Sequence, residues 1–358
     1  MPVVKQLPYH SMHWFDPFGS VKFQDLCSQP TVSAAIPNDP WSRADPRCVR
    51  ILFWDQEPLH KETVDQTLTE FIKVFCNEKR YIVTSEQNSD NVEYACNSYG
   101  FKPLYYFFHG WAALDWYRGY NRTFLIKPPA ERTPAKTFIA PNRIIAGKRQ
   151  HRLEMLYWIF KLGLDNNHIS CPSVCPAENI SIYDAVKTLP FDDAELVFRS
   201  AHLPRQFEGE TDHPMHSCWL SLFDQSADSL LYLVTETVAD GRRLHLTEKT
   251  FKPIALGMPF VIVGTAGSLE YLRGYGFKTF GHLWDESYDT IADPHERIRS
   301  IAGVLRSLCN LSVAERIELY QAALPTIQHN WDHFYNGGFE VVLWDELQGM
   351  LNRVKSSL

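Results

Sequence analysis

The chain lacks each of the short motifs that would assign it to a common nucleotide enzyme or hydrolase. Neither G-x-G-x-x-G nor G-x-x-x-x-G-K-[ST] occurs in its 358 residues, so neither a dinucleotide-binding turn nor a P-loop is supported. G-x-S-x-G is missing as well, which removes the nucleophile elbow of the α/β-hydrolases. No two aspartates are separated by a single residue, so the D-x-D device that chelates a divalent cation on a nucleotide-sugar is absent, and no metal or other cofactor is expected. No apolar run approaches the roughly 18 residues of a membrane-spanning helix, and the first residues lack the apolar stretch of a secretion signal. Positive charge is not in surplus either. The 35 Lys and Arg against 42 Asp and Glu leave a net charge of -7, which argues against coating nucleic acid through a basic face but leaves room for a local basic cleft.

Cysteine pairing is also missing. Only Cys171 and Cys175 lie close together, and no second pair follows at zinc-site spacing. Reduced thiols and a cytoplasmic location are the expectation. His10 and His13 stand three apart, in a polar segment that reads more simply as solvated than as metal-binding.

What is present is an ordinary globular composition, long enough for two domains of usual size. VRILFWDQEP (49–58) reads as a buried strand ending in polar residues, followed by a helix over 62–76 and a strand at RYIVTSE (80–86). LYYFFHG (104–110) is a third strand candidate. IKPPAERTPAK (126–136), with three prolines, reads as a linker. Beyond it the same grammar returns: a strand at 137–142, an amphipathic helix at 152–164, and strands at 229–237 and 259–264. Helices follow at 294–309 and 313–328. The expectation is an α/β protein with two Rossmann-like domains facing a cleft. One domain would span 1–135, a second 136–330, and a helical segment 331–358.

The densest chemistry lies where the second set of strands ends. Glu236 closes SLLYLVTET, and after the loop VADGRRLHL the segment TEKTFKPIALG opens as a helix with Thr247 as its cap and Gly257 as its end. A helix N-terminus carries free N–H groups and partial positive charge, which suit phosphate. Lys249 adds a full charge, and Glu248, an acceptor only, suits the two hydroxyls of a ribose. Each residue alone reads as a cap or a surface pair; together they read as a site for a nucleoside diphosphate held without metal.

L-V-T-E-T, then eight residues, then L-T-E-K-T-F-K-P-I-A-L-G-M-P-F-V-I-V-G resembles the signature of the α-1,3-fucosyltransferase-type glycosyltransferases. In that family an E-N-S strand end precedes Y-[VI]-T-E-K, a short helix, G-x-[VI]-P-[VI] and a strand. Here T-E-K is Thr247, Glu248 and Lys249, and the turn is Gly257, Met258 and Pro259. Upstream, FIAPN…HRLEMLYWI is similar to the family's S-N segment and the arginine at the following helix start, which would make Asn142 and Arg152 counterparts, with Arg149 the competing arginine. The chain departs from the pattern at Thr237, where the family has Asn, and at Leu246, where it has an aromatic. The resemblance spans roughly 137–290. It implies a GT-B fold and a nucleoside-diphosphate-sugar donor bound by Asn142, Arg152, Glu236, Thr247, Glu248 and Lys249.

An inverting transfer needs a carboxylate or imidazole to take the acceptor's proton. Asp55 and Glu57 at the end of the first strand are placed for that, with His109 as the rival, although a histidine after four aromatics is more often a packed core residue. Asp285, Glu286 and Asp289 read either as holders of sugar hydroxyls or as a solvated acidic turn. The acceptor is expected to be a hydroxyl on a glycan or lipid-linked saccharide. A modified DNA base is a second acceptor class, and a non-catalytic nucleotide- or carbohydrate-binding protein is the reading from outside the enzymes.

Overall fold

The computed structural model describes residues 32–34, 49–54, 58–61, 64, 65, 68, 69, 80–207 and 219–356. They form a mixed α/β protein built on parallel sheets. No described helix is long and apolar enough to cross a membrane. The chain divides into two compact units. One takes the chain as far as Asp115 together with Arg242–His245 and Glu340–Leu358; the other holds Trp116–Gly241 and Leu246–Phe339. The division therefore falls ahead of the proline-rich stretch read as a linker, and the C-terminal residues join the first unit.

In the first unit β1 (Val32–Ala34), β2 (Val49–Trp54), β3 (Arg80–Thr84) and β4 (Phe101–Tyr105) lie side by side in chain order, every pair parallel. Helix α1 (Asp90–Tyr99) starts on Ser89, whose side chain accepts from the Val92 amide, and ends at Gly100 with φ +69°. Its Val92 and Ala95 pack with Leu59, Val64, Leu68, Ile82 and Phe101. The strand expected over 104–110 stops at Tyr105, and α2 (Phe108–Tyr117) begins three residues later. FFHGWAALDWY is apolar on every side, so periodicity cannot separate strand from helix there. The structure decides through hydrogen bonds: the Phe107 amide donates to the Glu346 carboxylate at 2.9 Å and the Phe108 amide to Ser85 Oγ at 3.1 Å. The helix expected over 62–76 falls largely outside the described residues, and Asp55 and Glu57 wholly so.

In the second unit β5 (Lys136–Ala140) leads through α3 (Gln150–Lys161) to β6 (His168–Ile169). A small antiparallel pair, β7 (Val174–Cys175) and β8 (Ile180–Ser181), follows. The chain then runs through β9 (Ser229–Thr235), α4 (Glu248–Leu256), β10 (Phe260–Val263), α5 (Ser268–Gly274), α6 (Pro294–Cys309) and α7 (Val313–Tyr335). Finally α8 (Gly338–Ser356) carries the chain back to the first unit from Glu340 on. The main sheet is ordered β10-β9-β5-β6, all parallel. β9 is buried along its whole length, as expected of a parallel strand covered on both faces.

This strand order matters for function. From β5 the chain moves outward to β6 on one side, then returns to add β9 and β10 on the other. Connections diverge between β5 and β9, and ligands of open parallel sheets bind outside the carboxyl ends of the strands at such a point. Those ends are Ala140–Asn142 and Thr235–Thr237.

Candidate functional site

Asn142 straps the divergence point shut. Its side chain accepts from Thr235 Oγ1 across the two strands at 3.1 Å and donates to the Ala140 carbonyl at 3.1 Å. Its amide donates to Ser170 Oγ at 2.8 Å, beyond β6. Three strand ends are thus tied through one buried asparagine, which holds the carboxyl ends of the strands together.

Glu236 is the centre of the knot. Its carboxylate has no exposure and accepts four hydrogen bonds. Oε1 takes the Thr247 amide at 3.0 Å and Thr250 Oγ1 at 2.6 Å; Oε2 takes Thr247 Oγ1 at 2.6 Å and the Thr237 amide at 3.1 Å. A carboxylate has about four acceptor positions, so none is left for a ligand hydroxyl. Glu236 was expected to touch the donor; the structure has it fixing the first turn of α4 to the end of β9. Thr247 and Thr250 stand three apart, hence on one side of the helix. That spacing was the available sequence signal for this contact.

The Glu236 carbonyl faces the other way and collects α3. Arg152 donates to it from Nε at 3.2 Å and Nη2 at 3.0 Å, and to the Ile144 carbonyl from Nη1 at 3.0 Å. Three of the five guanidinium N–H groups are so engaged. Burial, and then the nearby Arg149 charge, lower the Arg152 pKa to about 10, with Glu236 and Glu248 opposing the fall. It is a cation at neutral pH. His151, which sequence reasoning passed over, lies half-buried beside it with Nε2 2.9 Å from the same carbonyl. A carbonyl only accepts, so Nε2 carries the proton. Burial, reinforced by Arg152, lowers the His151 pKa to about 3, so the ring is neutral at ordinary pH.

At the helix start Thr247 is the cap as expected, and Gly257 at φ +66° ends α4. Gly257 is also required by space, since a Cβ there would press on Pro129 and Trp331. Lys249 Nζ is drawn back over the cap, to Glu248 Oε1 at 2.9 Å, Thr247 Oγ1 at 3.3 Å and Thr237 Oγ1 at 3.2 Å. The Glu248 side chain is nearly buried, whereas about a third of Lys249 faces solvent. One carbonyl and one carboxylate of a single residue therefore bring Arg152 and the Thr247–Lys249 turn to the same strand end.

No family model matches the chain, and searches of curated proteins and of solved structures match none.

The remaining candidates are placed as follows. Asp289 accepts from the Leu269 and Glu270 amides at 3.0 and 3.2 Å and caps α5. Glu286 accepts from Thr279 Oγ1 and the Phe280 amide, each at 2.7 Å. Asp285 accepts from the Ser287 amide and hydroxyl, each at 2.8 Å. All three carboxylates are engaged by protein groups, and only Asp285 is solvated as a plain acidic turn would be; Asp289 is buried against the start of α5. His109 is buried near the start of α2, its ring edge-on to His245 at 5.0 Å between centroids. Among the described residues no group of three or more His, Cys, Asp or Glu is arranged to hold a metal ion.

Sequence reasoning also missed Arg297. Its buried guanidinium donates to the Gly264 carbonyl at 2.9 Å, to those of Ile291 and Ala292 at 2.6 and 3.2 Å, and to that of Ala239. It thereby pins the loops leaving β9 and β10. The run HERIRS gives no hint of this, because a helical arginine reads as solvent-facing.

Proposed function

We propose that the second unit binds the diphosphate of a nucleoside-diphosphate-sugar, and that the protein is a glycosyltransferase of GT-B type acting on a hydroxyl acceptor. The observation that carries the reading is that Glu236 holds Arg152 by its carbonyl and the Thr247 cap of α4 by its carboxylate, with Lys249 folded over that cap, at the divergence point of a parallel sheet. Two fixed cations and a helix start suit two adjacent phosphates. Arg152 is held by protein carbonyls before ligand arrives, so it needs little reorganisation as charge builds up on a leaving diphosphate. Lys249 exchanges its three oxygen partners for phosphate oxygens; Arg152 offers its two unengaged N–H groups. Glu248, next to both, supplies the acceptor for ribose hydroxyls. The resemblance at T-E-K favours inversion. Asp55 and Glu57, the expected bases, lie outside the described residues, and His109, the rival, is buried.

A thermal-shift screen against guanosine, uridine, cytidine and adenosine diphosphates and their sugars tests the reading. A ligand at about 100 times its Kd adds roughly 2.7 kcal/mol of stability, which is readily seen as a raised Tm. One base raising the Tm above the others is the expected result. A flat response to every nucleotide would overturn the proposal.

A further inference from the structure

Phe124 is 95% exposed and its neighbour Leu125 44% exposed, the one place among the described residues where two large apolar side chains adjacent in sequence are both left in water. They stand at the tip of R-G-Y-N-R-T-F-L-I-K (118–127). From Trp116 to Ala130 the chain carries Arg118, Arg122 and Lys127 and no acidic residue, in a protein whose net charge is -7. Arg118, Arg122 and Lys127 are all exposed. A single solvated leucine needs no explanation, but an apolar tip ringed by cations on an acidic protein does.

The tip stands on two fixed feet. At one, the turn Tyr120–Arg122 is closed by the Thr123 amide and hydroxyl on the Tyr120 carbonyl, at 3.1 and 3.0 Å, and the Tyr120 ring packs on Phe223. At the other, buried Arg132 donates twice to the Lys127 carbonyl, at 2.9 and 2.7 Å. The same guanidinium donates to the Gly257 and Leu256 carbonyls at the end of α4, at 2.9 and 2.5 Å. The exposed residues are thus presented by an anchored base. That base adjoins the C-terminal end of α4, away from the Thr247–Lys249 turn at its other end.

We infer that the 118–127 loop docks the protein onto an anionic membrane surface, with Phe124 and Leu125 entering the interface and Arg118, Arg122 and Lys127 facing acidic headgroups. Charge complementarity selects this occupant: aromatic and aliphatic side chains beside cations match the boundary between headgroups and acyl chains. The loop holds the protein at the surface. It does not feed lipid into the diphosphate site, which lies at the opposite end of α4. The inference is independent of the proposed transferase activity.

Co-sedimentation of the full chain with phosphatidylcholine vesicles, with and without about 30% phosphatidylglycerol, tests it. Binding to the anionic vesicles alone, weakening as salt is raised, is the expected result. F124D and the double variant R122A/K127A should each lower the partition coefficient about tenfold or more, with unchanged circular dichroism. Equal binding of F124D and wild type, or no binding to anionic vesicles, would overturn the inference. So would light scattering showing a dimer that F124D converts to a monomer, because the tip would then be covered by a second copy.

Discussion

Glu236 and Thr247 are joined twice, amide to Oε1 at 3.0 Å and hydroxyl to Oε2 at 2.6 Å, so one carboxylate sets both the position and the rotamer of the α4 cap. Converting it to an amide keeps the shape but turns one end into a donor facing donors. Glu236→Gln should lower stability by about 2–4 kcal/mol, because buried N–H and O–H groups lose their acceptor. Nucleotide affinity should fall with it. Chemical denaturation followed by calorimetry separates the two effects, and a variant as stable as wild type would contradict this role.

Arg297 makes a stability prediction remote from the ligand. Its four carbonyl partners come from the loops after β9 and β10 and from 291–292. Arg297→Met removes the guanidinium and strands those carbonyls, at a cost of about 3 kcal/mol or more. The Tm should drop by several degrees even in saturating nucleotide.

His151 gives the acid limb of the stability curve a recognisable part. Its folded pKa is depressed to about 3, below the ordinary histidine value, because burial disfavours the cation. Between those two values the unfolded chain binds the proton and the folded chain does not, so this contribution is complete above about pH 6.5 and lost as pH falls towards 3. The buried carboxylates Glu154 and Asp289, with pKa values raised by burial, act in the opposite sense, costing stability as pH rises through their range. His151→Gln keeps a donor for the Glu236 carbonyl and lacks the titration. Going from pH 7 to pH 4.5, wild type should therefore lose more stability than the variant, by up to about 1.4 kcal/mol per pH unit. Parallel curves would contradict it.

If transfer rests on a carboxylate at the end of β2, Asp55→Asn or Glu57→Gln should abolish transfer while leaving nucleotide binding within about twofold, as expected of a base that acts on the acceptor. Single-turnover kinetics beside calorimetry reads the difference. His109→Ala should instead lower stability, through a cavity beside His245.

Much of the second unit was legible in the sequence, because its strands are uninterrupted apolar runs and α4 carries both its cap and its terminating glycine within TEKTFKPIALG. The aromatic run after Tyr105 was misread for the complementary reason: without polar residues a helix and a strand look alike. Arg152, Thr247 and Lys249 could be picked out as charged or capping residues at element ends. What could not be picked out was the division of labour among them. That Glu236 is consumed internally follows from the hydroxyls of Thr247 and Thr250, whose reach to it depends on tertiary placement. Arg132 and Arg297 were invisible for the same reason, since an arginine that binds only carbonyls leaves no partner in the pattern.

The central claim, a diphosphate held by Arg152, Lys249 and the start of α4, is tested most directly by calorimetry of wild type and Lys249→Met with the nucleoside diphosphate that gives the largest thermal shift. Lys249 is partly exposed, so the fold should survive its replacement. Losing one charge-assisted contact should weaken binding by about 10- to 100-fold. Weakening with an unchanged Tm of the ligand-free protein is the predicted result. Equal affinity in the two proteins would place the phosphates elsewhere and contradict the account.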